Sequence, residues 1–187
     1  MGQIPFLTLL ALLSFLGYFY TNKRPYKYEF KTKIDDRLKL IPVFVIPYLS
    51  LFPLLVVTYL SLDHISLLKF LLALIVVNVT SSLFWFYIPN GVRRYKVDKY
   101  DTLSKIINYI YIHDGDTNGF PSAHVFLSTI CTYYLYSNYN NLAYIILGLI
   151  IILSTVFIKQ HYVVDILGGL LFATIALVTS GLLLANY

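Results

Sequence analysis

Six long apolar runs, separated by short charged loops, limit this chain to a bundle of helices in a bilayer. A helix that spans the hydrocarbon takes roughly 20 apolar residues, within a range of about 17 to 25. The runs fall at residues 4–20, 40–60, 65–88, 123–136, 142–158 and 163–185. Of the 187 residues 58% are hydrophobic and only 12% charged, with a mean hydropathy of +0.72, which is more apolar than a water-soluble core of this size requires. The expected fold class is therefore all-α: a polytopic membrane protein of six transmembrane helices forming one domain over residues 1–187, without internal repeat or dividing linker.

The first run has no basic residue before it and no small-residue cleavage pattern after it, so it reads as a first spanning helix rather than a secretory signal. Pro42, Pro47 and Pro53 predict a kinked second helix, since each removes a backbone donor. The fourth run is short unless it starts inside the turn Pro121-Ser122-Ala123-His124, which places polar groups at membrane depth, where only a protein-lined cavity tolerates them. Between the third and fourth runs lies the longest polar stretch. Within it Leu103, Ile106, Ile107 and Ile110 recur at helical spacing, with Asp101, Lys105 and Asn108 elsewhere, predicting an interfacial helix able to roof a site. A solvated connector with incidental periodicity is the alternative.

The net charge of +5 does not point to nucleic acid, because the cations sit in loops between apolar runs and no soluble binding motif accompanies them. Lys23, Arg24, Lys27, Lys31, Lys33, Arg37 and Lys39 follow the first run; Arg93, Arg94, Lys96, Lys99 and Lys105 follow the third; Lys159 follows the fifth. Only Lys69 lies toward the other side. The positive-inside rule puts these three loops in the cytoplasm and both termini outside. Cys131, the single cysteine, has no intrachain disulfide partner and says nothing of compartment.

Three clusters capable of chemistry fall at helix ends on that same side: Arg93-Arg94, the segment from Asn118 to His124, and Lys159-Gln160-His161 with Asp165. The spacing of four between His161 and Asp165 puts imidazole and carboxylate on one helix face, one turn apart. Asp165 can then orient the ring by accepting from one nitrogen, leaving the other as a nucleophile. A buried His–Asp pair that only locks helices is the structural alternative. Pro121 suits a first helical turn, whose free amides favour anions, Ser122 adds a hydroxyl, and His124 is placed to protonate a leaving alkoxide. A serine cap beside an interfacial histidine would look the same. Arg93 and Arg94 match the fork geometry of phosphate oxygens, or simply fix the end of helix three. His113, Asp114 and Asp116 lack regular ligand spacing and read as a polar loop rather than a metal site, and Asp63 and His64 as a plain loop on the far side.

At these residues the chain resembles the type 2 phosphatidic-acid phosphatase superfamily, which includes lipid phosphatases and, more distantly, sphingomyelin and inositol phosphorylceramide synthases. The order matches over nearly the whole chain: arginine after helix three, Pro-Ser-X-His at helix four, His-X-X-X-Asp at helix six. The resemblance implies His161 as a nucleophile forming a phosphohistidine, Asp165 as its orienting carboxylate and His124 as the acid for the leaving group. Ser122 and Arg94 would bind the phosphoryl oxygens, with no metal or other cofactor. Phosphatases of the family usually carry lysine where this chain has Tyr87, proline where it has Tyr95 and arginine where it has Thr155. Two cations are thus missing unless Arg93, Lys96 or Lys159 substitutes. A similar loss of the arginine occurs in the synthase-like branch.

The expected function is an integral-membrane enzyme, a metal-independent lipid phosphatase acting on a lipid phosphate or pyrophosphate ester. The alternatives are a phosphotransferase that passes the group to an alcohol, and a membrane scaffold or transporter whose His161–Asp165 pair is structural or relays protons. Charge counting puts the site at the cytoplasmic face, whereas relatives commonly work at the outer or lumenal face.

Overall fold

The computed structural model describes residues 2–97 and 101–185, so Lys99 lies outside the described residues. These residues form ten α-helices and no strand. The first apolar run is α1 (Gln3–Ser14) and α2 (Leu16–Thr21). A short α3 (Lys33–Arg37) follows in the first loop. The second run is divided into a 3-10 turn at Pro42–Phe44, α4 (Val45–Leu49) and α5 (Leu51–Ser61). Pro47 and Pro53 each withhold an N–H from this run, and the Ser50 hydroxyl bonds back to the Pro47 carbonyl at 2.6 Å. The predicted kink is therefore present, as a break between α4 and α5.

The remaining helices are α6 (His64–Tyr87), α7 (Thr102–His113), α8 (Ala123–Tyr139), α9 (Leu142–Phe157) and α10 (Val163–Leu183). Four stretches are long and apolar enough to cross a membrane: Gln3–Thr21, Pro42–Ser61, His64–Tyr87 and Val163–Leu183. Helix α9, of 16 residues, is apolar but shorter, and α8 has 17. Half of the spanning window of α6 is buried, against 11% for the first run, so α6 is the axis of the bundle. It packs against α1, α8 and α10 through a core of Phe70, Leu74, Val77, Trp85, Phe126, Ile130 and Ala173. The unpartnered outer faces carry Leu9, Phe52, Val56, Leu149, Leu171 and Val178, all exposed, as a lipid-facing surface requires.

The predicted helix between the third and fourth apolar runs is α7. Asp101 starts it, accepting from the Ser104 N–H at 3.0 Å and the Ser104 hydroxyl at 2.8 Å. Its apolar stripe closes on protein: buried Ile107, with Leu103, Ile106 and Ile110, packs around Val45, Tyr48 and Ile158. That contact ties the polar loop to α4 and to the end of α9, beside the site.

Candidate active site

The loops after α2, α6 and α9 meet at one end of the bundle. Backbone bridges join Tyr28 to Asn90 and Gly91 to Thr117. The Asn90 side chain holds the turn before α8, donating to the Phe120 carbonyl at 2.8 Å and accepting from the Phe120 N–H at 2.5 Å. Asn118, in the left-handed region at φ 57°, donates from its amide to the Tyr18 carbonyl at 3.2 Å and the Thr21 hydroxyl at 3.0 Å, both at the C-terminal end of α2.

His161 is not on a helix. Helix α9 ends at Phe157, Lys159 turns through the left-handed region at φ 58°, and the Thr155 carbonyl accepts both the Gln160 N–H (2.9 Å) and the His161 N–H (3.2 Å). Tyr162 is the N-cap of α10, so Asp165 is in its first turn and His161 lies just outside. The expectation of one shared helix face is corrected accordingly: the pair meets across a helix start. Histidine Nδ1 donates to the Gly119 carbonyl at 2.9 Å, with Asp165 Oδ2 further off at 3.5 Å. The same carboxylate oxygen accepts the Tyr162 N–H at 2.8 Å and sits at the positive end of the α10 dipole. Two acceptors thus keep the proton on Nδ1, which leaves the lone pair on Nε2.

Helix α8 begins beside it. Ser122 is fully buried; its N–H donates to the Asp165 carbonyl at 3.2 Å, and its hydroxyl caps the Val125 N–H at 3.4 Å. This approach needs a bare backbone at Gly169, where a Cβ would stand 2.9 Å from the Ser122 carbonyl and 2.5 Å from the Val125 Cβ. The His124 ring stacks on Tyr48 (centroids 3.8 Å apart, 15° between planes) with Phe52 edge-on, and its centroid is 6.4 Å from that of His161.

Arg94 donates from Nη2 to the Asp114 carbonyl at 3.1 Å and to the Gly115 carbonyl, and its guanidinium carbon lies 5.0 Å from the centre of the Tyr111 ring. Arg94 Nε and Nη1, His124 Nε2 and Gln160 Nε2 are buried with no hydrogen-bond partner among the described residues. A buried donor left unmet costs about 1–3 kcal/mol, and folded proteins leave few. The structure therefore brings His161, Asp165, His124 and Ser122 together, while Arg94 is held to the loop after α7.

The other two candidates are held differently. The Arg93 side chain is exposed, and its N–H donates to the Tyr162 hydroxyl at 3.1 Å. Lys159 is buried, with its ammonium on the Asp35 carbonyl at 2.9 Å and over the Tyr95 ring at 4.9 Å. Burial, only partly offset by Asp35, holds its pKa below the ordinary lysine value. In the third loop, Asp114 accepts from the Tyr18 hydroxyl at 2.7 Å and the Asn22 amide at 3.0 Å, as a member of a polar loop. No group of three or more potential metal ligands occurs among the described residues.

The first loop supplies what sequence reasoning missed. The Tyr162 hydroxyl donates to Glu29, and burial followed by that hydrogen bond pushes the phenol above its ordinary pKa, keeping it a donor. Asp35, 2% exposed, accepts from the Thr32 N–H and hydroxyl at 2.7 Å each and from the Val163 N–H, at the start of α10, at 2.9 Å. One carboxylate thus ends both α3 and α10. Its only signal in the sequence is Thr32 three residues before it, the start of a capping box.

The family model of the PAP2 superfamily matches residues 66–184, which include Arg94, the turn before α8 and the His161–Asp165 pair. The chain belongs to the type 2 phosphatidic-acid phosphatase (PAP2) superfamily. Searches among curated proteins and solved structures gave no significant match. Members of the PAP2 superfamily are generally phosphatases or related enzymes, and the family together with four long apolar helices suggests an integral-membrane protein with a phosphatase-type activity on lipid phosphate.

Proposed function

We propose that this PAP2 protein hydrolyses a lipid phosphate or pyrophosphate ester through a phosphohistidine on His161. The observation that carries the reading is the meeting of His161, whose Nδ1 is turned to the Gly119 carbonyl, with the buried, unpartnered Nε2 of His124, the ring centroids 6.4 Å apart; Arg94, held to the loop after α7, adds buried donors without a partner. A phosphate offers anionic acceptors to these donors and an electrophilic phosphorus to the imidazole. Nε2 of His161 attacks phosphorus, the ester P–O bond breaks, and His124 gives its Nε2 proton to the departing alkoxide. Water then attacks the phosphohistidine, losing its proton to His124, and inorganic phosphate leaves. Asp165 stabilises the imidazole while it carries positive charge, and Ser122 and Arg94 hold the phosphoryl oxygens.

In this reading α8 and α9 complete six crossings, and α7 lies in the interface above the site. Transfer to an alcohol instead of water is the second reading. It is favoured by Tyr87 and Thr155 at the positions of the phosphatase cations, and by Lys159, whose ammonium is engaged with Asp35. The deciding experiment offers detergent-purified protein a panel of lipid phosphates and pyrophosphates, with and without vanadate and with and without an added alcohol. Vanadate-sensitive release of inorganic phosphate supports hydrolysis, and a phosphodiester formed only with alcohol supports transfer. A fully inert panel returns the scaffold or transporter reading.

In this proposal the site faces the cytoplasm, a reading supported by the positive-inside rule applied to the cations of the three loops. Lys27 is exposed in the first loop, and Cys131, the native thiol, is buried, so the background is low. A membrane-impermeant maleimide is expected to label Lys27→Cys only after cells are opened; labelling of intact cells reverses the orientation.

A further inference from the structure

The turn that carries His161 and the loop after α6 meet at one peptide group. The Gly119–Phe120 peptide offers its C=O to His161 Nδ1 at 2.9 Å and its N–H to Asn90 Oδ1 at 2.5 Å. A trans peptide is planar, with C=O and N–H pointing in opposite directions, so fixing one end aims the other. Asn90 fixes the N–H end. It is 1% exposed, and its amide nitrogen donates to the Ile88 carbonyl at 2.9 Å and to the Phe120 carbonyl at 2.8 Å. Both donors of the side chain are thus used, and they set the direction of its one oxygen. Gly119 leaves little slack: a Cβ there would stand 3.2 Å from Asn90 Oδ1, 3.4 Å from Asp165 Oδ2 and 3.0 Å from Val92 Cγ2.

Resting on the reading of His161 as the nucleophile, the structure assigns Asn90 as a positioning residue of the reaction: through the Gly119–Phe120 peptide it aims a carbonyl at His161 Nδ1 and so reserves Nε2 for the attack. A carbonyl can only accept, so this contact requires the proton on Nδ1. Asp165 is the weaker guide, since its Oδ2 is 3.5 Å from Nδ1 and already accepts the Tyr162 N–H at 2.8 Å. Asn90 also strengthens the carbonyl it aims. Hydrogen bonds in a chain polarise one another, so the bond at the Phe120 N–H makes the Gly119 oxygen a better acceptor.

The test combines steady-state kinetics on phosphatidate with the ¹⁵N spectrum of histidine-labelled protein in detergent, for wild type, Asn90→Ala and Asn90→Asp. The chain has four histidines, and His161→Ala identifies the signals of that ring by their loss. Wild type is expected to show His161 protonated at Nδ1 and bare at Nε2; a proton on Nε2 overturns the inference at once. Asn90→Ala removes the acceptor, so the ring divides between its tautomers. Its kcat is expected to fall about tenfold with KM within about twofold, because the wrong tautomer binds phosphate without attacking it. Asn90→Asp keeps an oxygen on the Phe120 N–H, and should recover the Nδ1–H signal and most of kcat. If Asn90→Ala does not fold, Asn90→Leu, which fills the space without an acceptor, is read in its stead. A residue that only braces the turn before α8 lowers the melting temperature and leaves the ring signal as in wild type. That result, a change confined to KM, or an aspartate variant that loses the signal as fully as alanine, overturns the inference and leaves the phosphatase reading intact. A wild type inert on phosphatidate and on the rest of the lipid phosphate panel overturns the phosphatase reading, and the ring spectrum alone then decides whether Asn90 orients His161.

Discussion

Replacing His161 by alanine is expected to lower phosphate release by at least about 10³-fold, because the substitution removes the atom that would bond to phosphorus. The ring is buried, and its Nδ1 is the donor to the Gly119 carbonyl, so the fold needs a control. Circular dichroism and size exclusion in detergent are expected to match the wild type, since only one neutral hydrogen bond is lost, worth about 1 kcal/mol. A second readout separates nucleophile from bystander. Wild type quenched during turnover of a ³²P-labelled substrate should carry acid-labile, base-stable label, as a phosphoramidate does, and His161→Ala should carry none. Turnover retained in the alanine variant removes the nucleophile assignment, whatever the label shows.

The second large effect is expected far from the motifs. Asp35→Ala deletes the acceptor for two backbone N–H groups and one hydroxyl in a region that excludes water, among them the Val163 N–H at the first turn of α10. Each stranded buried donor costs about 1–3 kcal/mol, so a destabilisation of about 2–4 kcal/mol follows. For a chain of this size that is a fall in Tm of roughly 5–15 °C. Because Asp165 and the N-cap of α10 move with this helix start, kcat should drop about tenfold or more while KM changes less. Asn in place of Asp35 keeps one side-chain oxygen as acceptor and is expected to fall between wild type and alanine. An unchanged melting temperature in Asp35→Ala would show that the first loop does not hold α10.

The motifs at the centre of the site were readable because they are local. His161 and Asp165 four residues apart, and proline and serine ahead of His124, announce a helix start that handles charge. The geometry inside the first motif was not legible from spacing alone. A separation of four implies one helical face only if both residues are helical, and the left-handed turn at Lys159 puts His161 outside α10. The ring proton goes chiefly to the Gly119 carbonyl, a backbone atom 42 residues away that no side-chain pattern reports. The surroundings of Lys159 were not legible either: its place beside His161 suggests phosphate, and folding carries its ammonium to the carbonyl of Asp35, 124 residues distant in sequence. Gly169 is likewise silent in a sequence, since what forbids a side chain there is the backbone of α8 pressed against it.

Composition and periodicity by themselves determined that this chain is helical and belongs in a membrane, that its second apolar run bends, and that its polar motifs gather at helix ends. Those properties follow from the local balance of apolar and charged residues, from missing N–H groups and from helix ends, each settled within a few residues of chain. Only the tertiary structure decided which loops meet at that end, which carbonyl the His161 imidazole faces, and where the side chains of Arg94 and Lys159 are held. These depend on where carbonyls and side chains from distant helices arrive together, and close packing fixes that only once the whole bundle has formed.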